Sequence, residues 1–454
     1  MSSIRYVISL GALAFALTGA PALSQNAVPA ESVAKPAAVT AEDKVLIAEL
    51  TKKAETGDIK AMTDLGERYY EADGVKYDGD AAYKWLKKAA DTGDADAEAD
   101  LGDLFLWGNG VSKDQDMSLA LYQKSAAQNN ASGQNSVGWM YEHGYAVKQD
   151  YAEAAKWYAL AAAKSYGPAL NHLGDLYYDG HGVAKDLSKA AELYQRGADV
   201  GNPDATASIA ALYKSGEGVT KDEAKAFKLY QVAANLKSCD ATYALGSAYE
   251  NGELGQVIDT SKAFDAYKAG ADRACVYGQL AIGRFYDDGL GREEDAGEAF
   301  KYYALAAMQG NEIGQVRLGN SYFYGSFLPE NNEEAYKWFK KAADQNYAKG
   351  QYKIGYMYLK GYSVSADYAE ALKWLKLSAA QGDDDAEYRL GSIYENAMGV
   401  AQDRVQALTW YFLSADQKND DAVKARDLLK KNMSGFDVAK AQSAANAFKP
   451  VVSE

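Results

Sequence analysis

The chain has 454 residues, 48 Lys plus Arg against 63 Asp plus Glu, and a formal charge of −15. So acidic a surface repels phosphate backbones and anionic lipid; it argues against nucleic acid as a partner and for a basic protein patch, unless the charge only keeps a long chain soluble. A length of 454 residues would ordinarily divide into two or three domains, yet the pattern described below runs without a visible boundary.

From the start of the chain, Arg5, the apolar run from Tyr6 to Leu17 and the small residues near Ala22 and Ser24 read as a secretory signal over residues 1–24. The expectation is export, most simply to a bacterial periplasm, with secretion beyond it as the alternative. The apolar run falls short of the ~20 residues that span a bilayer, so no membrane span is expected. Residues 25–40, rich in Ala, Val, Pro and Ser, read as a disordered leader, and residues 41–56 as a capping helix with one apolar face.

From there a glycine preceded by an aliphatic residue and followed three residues later by an aromatic recurs. It stands at Gly66, Gly102, Gly138, Gly174, Gly246, Gly283, Gly319, Gly355 and Gly391, with Ala210 in the remaining place, at steps of 36 residues and one of 37. A period of that length means stacked supersecondary units that bury their apolar faces on their neighbours. The third and fourth units show the pattern. Asp150 precedes a helical stripe of Ala154, Ala155, Trp157, Tyr158, Ala161 and Ala162; after a break at Gly167 and Pro168, a second stripe runs through Leu173, Leu176 and Tyr177 to the loop at Gly180 and Gly182. A glycine inside a helix costs about 1 kcal/mol against Ala, so each anchor predicts a close helix crossing. Sixteen residues on stand Ala82, Ser118, Ala154, Ala190 and their equivalents, which predicts small residues facing small ones. The aromatics at Tyr69, Phe105, Tyr141 and onward are expected to fill the layers between units.

The pattern Leu-Gly-x-x-Tyr-x-x-Gly-x-Gly-Val, then Ala-x-x-Trp-Tyr and Ala-Ala with a Gly or Asn turn, resembles the Sel1-like repeat, a relative of the tetratricopeptide repeat. The resemblance covers residues 57–418 in ten repeats and implies an all-α, right-handed α-solenoid, with capping helices and a tail over residues 419–454. Two loops depart from the pattern, Asn251 to Thr260 with its insertion and Ser326 to Pro329, and other shapes are expected there.

Little in the chain suggests chemistry. His143, His172 and His181 lack metal-pair spacing and read as exposed polar residues; Ser32 and Lys35 fall in the leader, where nothing would activate the serine. Asp383, Asp384 and Asp385 open a helix, where carboxylates offset the helix dipole, and do not alternate as calcium ligands do. The glycine-rich loops follow helices rather than strands, which excludes a phosphate loop. No cofactor is expected. Cys239 and Cys275 stand 36 residues apart. Equivalent positions in stacked helices lie about 8–10 Å apart, against the ~7 Å that a disulfide tolerates, so the expectation is two separate small core residues, with a bridge as the alternative.

The resemblance implies that the first helix of each repeat lines a concave face. Positions three before and one, four and five after each anchor then place Tyr70, Leu106, Trp107, Trp139, Glu142 and Tyr178 on it, and farther along Phe323, Tyr324, Tyr352, Tyr356, Leu359 and Tyr388. These two aromatic patches are either a partner-binding surface or rings buried between neighbouring helices. Proteins similar to this one in the family act as adaptors in envelope signalling, complex assembly or contact with a host. A cysteine-rich branch is linked to β-lactam or peptidoglycan ligands, but its paired cysteines are missing here. The expectation is a scaffold for a protein or peptide partner, not an enzyme.

Overall fold

The computed structural model describes residues 39–451. The predicted signal, most of the predicted leader and residues 452–454 lie outside it. Among the described residues there are twenty-three helices and no strand. One helix, Ala41–Glu55, precedes ten helix pairs, from Ile59–Glu71 with Gly79–Ala90 to Asp384–Glu395 with Arg404–Asp416. Two more, Asp420–Lys430 and Gly435–Ala447, follow. The all-α repeat architecture read from the sequence is thus the one observed. The chain falls into two compact units, residues up to Gly278 and residues from Gln279, divided within the helix Val276–Asp287.

An acid or its amide starts every second helix. Asp78, Asp114, Asp150, Asp186, Asp222, Asp259, Asp295, Asn331, Asp367 and Asp403 hold extended backbone and accept a backbone N–H from the first turn on their side chains. Such caps satisfy donors that the helix itself leaves open. The backbone N–H of each of these ten residues also donates to the carbonyl of the aromatic three after the anchor, from Tyr69 to Tyr394, at 2.8–3.1 Å. Loop and helix start are therefore fixed as one piece. This holds in the two departing loops as well: Asp259 closes on Tyr249 and Asn331 on Tyr322, both at 2.8 Å. In the sixth repeat Leu254 keeps the positive φ (54°) found at the matching Gly110 and Gly182, and the extra residue is absorbed after it. In the eighth, Phe327 takes that place and packs its ring 5.7 Å from Phe300, so the expected change of shape is confined to the middle of the loop. The usual glycine there has a steric cause: Gly110 lies against Gly79, at the start of the preceding repeat's second helix, where no side chain fits.

The anchor glycines do mark close crossings, but not between small residues. A Cβ at Gly102, Gly138, Gly283 or Gly319 would stand 2.6–2.8 Å from the ring of Tyr122, Tyr158, Tyr303 or Phe339, twenty residues on. The missing Cβ makes room for a ring, because the second helix turns that position, rather than the alanine four residues earlier, toward the anchor. The alanines are buried all the same. Small meets small one step away: a Cβ at Gly314 or Gly350 would meet Ala306 and Ala307, or Ala342 and Ala343, of the preceding second helix at 2.7–2.9 Å. Between repeats the aromatics pack edge to face, Tyr83 on Phe105, Phe227 on Tyr249, Phe300 on Tyr322 and Tyr336 on Tyr358, at 5.3–6.2 Å and 81–89°.

Cys239 and Cys275 are joined, with Cα atoms 5.5 Å apart, against the expectation of separate core residues. Their separation of 36 residues crosses the 37-residue step, so the two are not equivalent. Cys239 is the first residue of its helix, and Cys275 takes the helix-capping place that Ser238 holds one repeat earlier. The spacing of helix axes does not apply to such offset ends.

Candidate interaction surface

The exposed faces of the first helices carry three kinds of side chain: carboxylates, aromatics and a few cations. Several of the carboxylates serve the fold. Tyr122, Tyr158, Tyr194, Tyr267, Tyr303 and Tyr411, the rings that fill the anchor notches, donate their hydroxyls to Asp103, Glu142, Asp175, Glu250, Asp287 and Glu395 of the paired first helix. Burial pushes Asp103 up to about 6 and Asp175 up to about 7. Lower on the same faces, Gln345 and Gln381 donate to the buried Gln315 and Gln351 at 2.9 Å, and Gln417 donates to Glu387, which burial pushes up to about 8. Glu142 is therefore part of the packing rather than a groove contact, and so is Leu106, which is buried.

In the first unit the predicted aromatics do not form one patch. Trp107, 38% exposed, lies 5.8 Å from Trp139, which is itself buried and stacked on His143 (4.2 Å) and Tyr145 (5.2 Å). Tyr70 is half-buried beside Asn109 and Asp103. Tyr178 points its hydroxyl to Glu217 at 2.9 Å, under Lys185. Trp107 is the one large exposed ring among these four.

In the second unit the predicted residues do converge. On the helices Glu312–Tyr324, Ala348–Lys360 and Asp384–Glu395, Phe323 meets Tyr324, Tyr356 and the loop residue Tyr362 at 5.0–6.4 Å, and Tyr356 meets Tyr352 at 6.1 Å. Tyr388 stands apart against Tyr411 and is tied in by a cation: the Arg389 guanidinium lies 5.2 Å from the Tyr356 ring and 5.1 Å from that of Tyr388. Lys353 lies over Tyr324 and Tyr352. Tyr352 is buried, Phe323, Tyr356 and Tyr388 are half-buried, and Tyr324 is 61% exposed. The cluster thus has a packed base and an open rim.

The sequence pattern left out both cations and Tyr362, because none of them stands three before or one, four or five after an anchor. Lys353 and Arg389 stand two residues before their anchors, a position outside that set.

Catalytic groupings do not assemble around the histidines. His143 and His181 are exposed and stack on Trp139 and Tyr151, whereas His172 is half-buried against Tyr158, and burial holds its pKa below the usual value. The reading of all three as exposed holds for two. Asp383, Asp384 and Asp385 gather around the Lys349 ammonium at 3.0–3.4 Å, which already supplies their positive charge.

A family model described as Sel1 repeat matches ten consecutive stretches from residue 59 to residue 419. Among solved structures the chain is similar to a protective antigen present in uropathogenic Escherichia coli strains and displaying an SLR fold. The two are 31% identical over 88% of this chain and 85% of that one, with a TM-score of 0.58. It is also similar to a Sel1 repeat protein from Oxalobacter formigenes, 32% identical over 50% of this chain and 99% of that one, with a TM-score of 0.43. No curated protein matches the chain. Proteins built of Sel1 repeats are in general interaction scaffolds and typically not enzymes. Ten helix pairs in unbroken succession, each carrying the glycine, the capping acid and the ring that fills the notch or their close equivalents, make this chain a member of the Sel1 repeat family.

Proposed function

We propose that the chain is an exported scaffold that binds a polypeptide partner on the first-helix face of its second unit. The observation that carries this reading is the cluster of Phe323, Tyr324, Tyr356 and Tyr388 with Lys353 and Arg389. Rings on a packed base, interleaved with the half-buried cations Lys353 and Arg389 and opening at Tyr324, supply contact area at small entropic cost, and Tyr and Arg are the residue types that dominate interface energetics. Export is supported by the signal-like residues 1–24 and by the Cys239–Cys275 disulfide, since such bonds persist in oxidising compartments. Both features suit the bacterial periplasm and equally the medium beyond it.

A photo-crosslinking residue placed at position 324 tests the reading in intact cells. A discrete crosslinked partner is expected from that position, and none from the control position Lys373, an exposed residue of the second helix Tyr368–Ala380. Equal labelling from both positions, or none from 324, would remove the cluster as the binding surface.

A further inference from the structure

In the first unit, the first helices Ile59–Glu71, Ala95–Trp107 and Ala131–His143 border a cleft of about 430 Å³, within the range of ligand-sized clefts. Five carboxylates line it, those of Asp64, Glu67, Asp94, Asp96 and Asp100, against one ammonium, that of Lys60. Two are engaged locally: Asp94 caps its helix through the Ala97 N–H at 2.8 Å, and Asp96 accepts from Asn130 at 2.7 Å. Asp100 differs. It is only 7% exposed, it lies carboxyl against carboxyl with Glu67, and its Oδ2 is buried without a hydrogen-bond partner.

A buried acceptor with no donor is costly, and two carboxyls in contact persist only with a shared proton or an intervening cation. A multidentate metal ion does not fit the spacing. Among the described residues the one trio of potential ligand atoms within 4.8 Å of one another is Asp383–Asp385, not any set in this cleft. A cation carried on a long side chain reaches such a site one carboxylate at a time.

We infer that the cleft receives a basic side chain of a polypeptide partner, with Asp100 Oδ2 as its innermost acceptor and Asp64 and Glu67 on its walls. This deepens the scaffold reading and rests on it, adding a second contact of opposite charge preference to the aromatic and cationic cluster of the other unit. Burial raises both Glu67 and Asp100 above the usual carboxylate range, and the charge of Glu67 raises Asp100 further, so a cation in the cleft opposes that rise and draws protons off the pair. The groups facing the pair are Asp64 and Glu71 from its own first helix and Asp96 and Asp103 from the next, with Lys60 at the rim. All but Lys60 reinforce the effect.

The test is calorimetric titration of the full chain with a blocked tetra-arginine peptide, its citrulline counterpart, spermidine and calcium chloride. The arginine peptide is expected to bind once, with a heat that varies with buffer ionisation as protons are released, and the citrulline peptide not to bind. The double substitution Glu67→Gln with Asp100→Asn is expected to weaken binding by about tenfold, roughly 1.4 kcal/mol, and to abolish the proton release. It removes like charges from a buried pair and should fold; should it not, Asp64→Asn alone is expected to weaken binding about threefold. Unchanged affinity in these variants, or an equal loss in the control Asp384→Asn with Asp385→Asn, would overturn the inference. Tighter binding of spermidine or calcium than of the peptide would overturn the polypeptide assignment. The response of the peptide titration to the cleft variants reads this cleft and the crosslink at position 324 reads the scaffold, so either can fail without the other.

Discussion

Gly283 and Tyr303 form a notch and its filling: a Cβ on the glycine would stand 2.6 Å from Cε1 of the ring, whose hydroxyl reaches Asp287 at 3.2 Å. Gly283→Ala therefore sets about 1 kcal/mol of helix propensity gained against an overpacking cost of about 1–3 kcal/mol, because the ring is wedged and cannot swing away. Net destabilisation is expected, read as faster amide exchange in the helices Val276–Asp287 and Ala296–Met308. Gly435→Ala, where nothing lies within 4 Å, is the control and should leave exchange unchanged or slower.

The rings of the candidate surface divide by burial, and substitution should divide the same way. Trp139 and Tyr352 are 5% and 8% exposed, so replacing either by Ala is expected to cost about 3–5 kcal/mol of stability. Trp107→Ala and Tyr324→Ala should leave the helical circular dichroism and the urea midpoint nearly unchanged. Tyr324→Ala should in addition reduce partner capture. A loss of capture that tracks stability across all four variants would assign the rings to packing alone.

These differences show where the sequence was informative. The period, the glycine anchors and the alanines were legible because every repeat states them again, and repetition of a burial pattern reports packing directly. What the anchor faces was not legible, since Ala154 and Tyr158 are both apolar, both on the second helix and one turn apart; the rotation of that helix decides between them. Tyr324 and Tyr352 likewise look equivalent as residues of one face, yet one is open and the other enclosed, because exposure at a groove position depends on the next helix. The acid cleft was hidden by function-neutral composition. In a chain with 63 acids, Asp64, Glu67 and Asp100 stand out only once three helices bring them together.

Asp175 should make stability pH-dependent. Buried beside the Tyr194 hydroxyl, it titrates in the folded chain at about 7, against an ordinary value of 3.8. The folded state thus holds a proton that the unfolded state has released, and the stability this contributes is fully present below about pH 4 and lost as the pH rises through 7. Asp175→Asn is expected to flatten the fall in stability between pH 4 and pH 7. Tyr194→Phe, which removes a donor that favours the carboxylate, should move the Asp175 midpoint above 7 in a carbon-13 titration. An Asp175 midpoint near 4 in the unmodified chain would refute both expectations.

The Cys239–Cys275 bond closes a loop of 36 residues that holds nearly the whole sixth repeat, the one whose loop carries the insertion. Chain entropy assigns such a closure about 4 kcal/mol, although native strain and residual structure in the unfolded chain commonly reduce it. In a stack of repeats that energy is not shared by the whole molecule, because each helix pair contacts its neighbours alone and can open locally. Reduction, or Cys239→Ala with Cys275→Ala, is therefore expected to accelerate amide exchange in the helices Cys239–Asn251 and Thr260–Ala271 first, and to leave the repeats before Pro203 unchanged. The two thiols should then differ in reactivity: Cys239 is exposed and Cys275 is 5% exposed, so a thiol reagent under native reducing conditions should modify Cys239 before Cys275. Simultaneous modification of both would mean that the repeat opens as a unit once the bond is cut. In that case the disulfide, rather than the packing of the rings around Tyr267, holds this repeat closed.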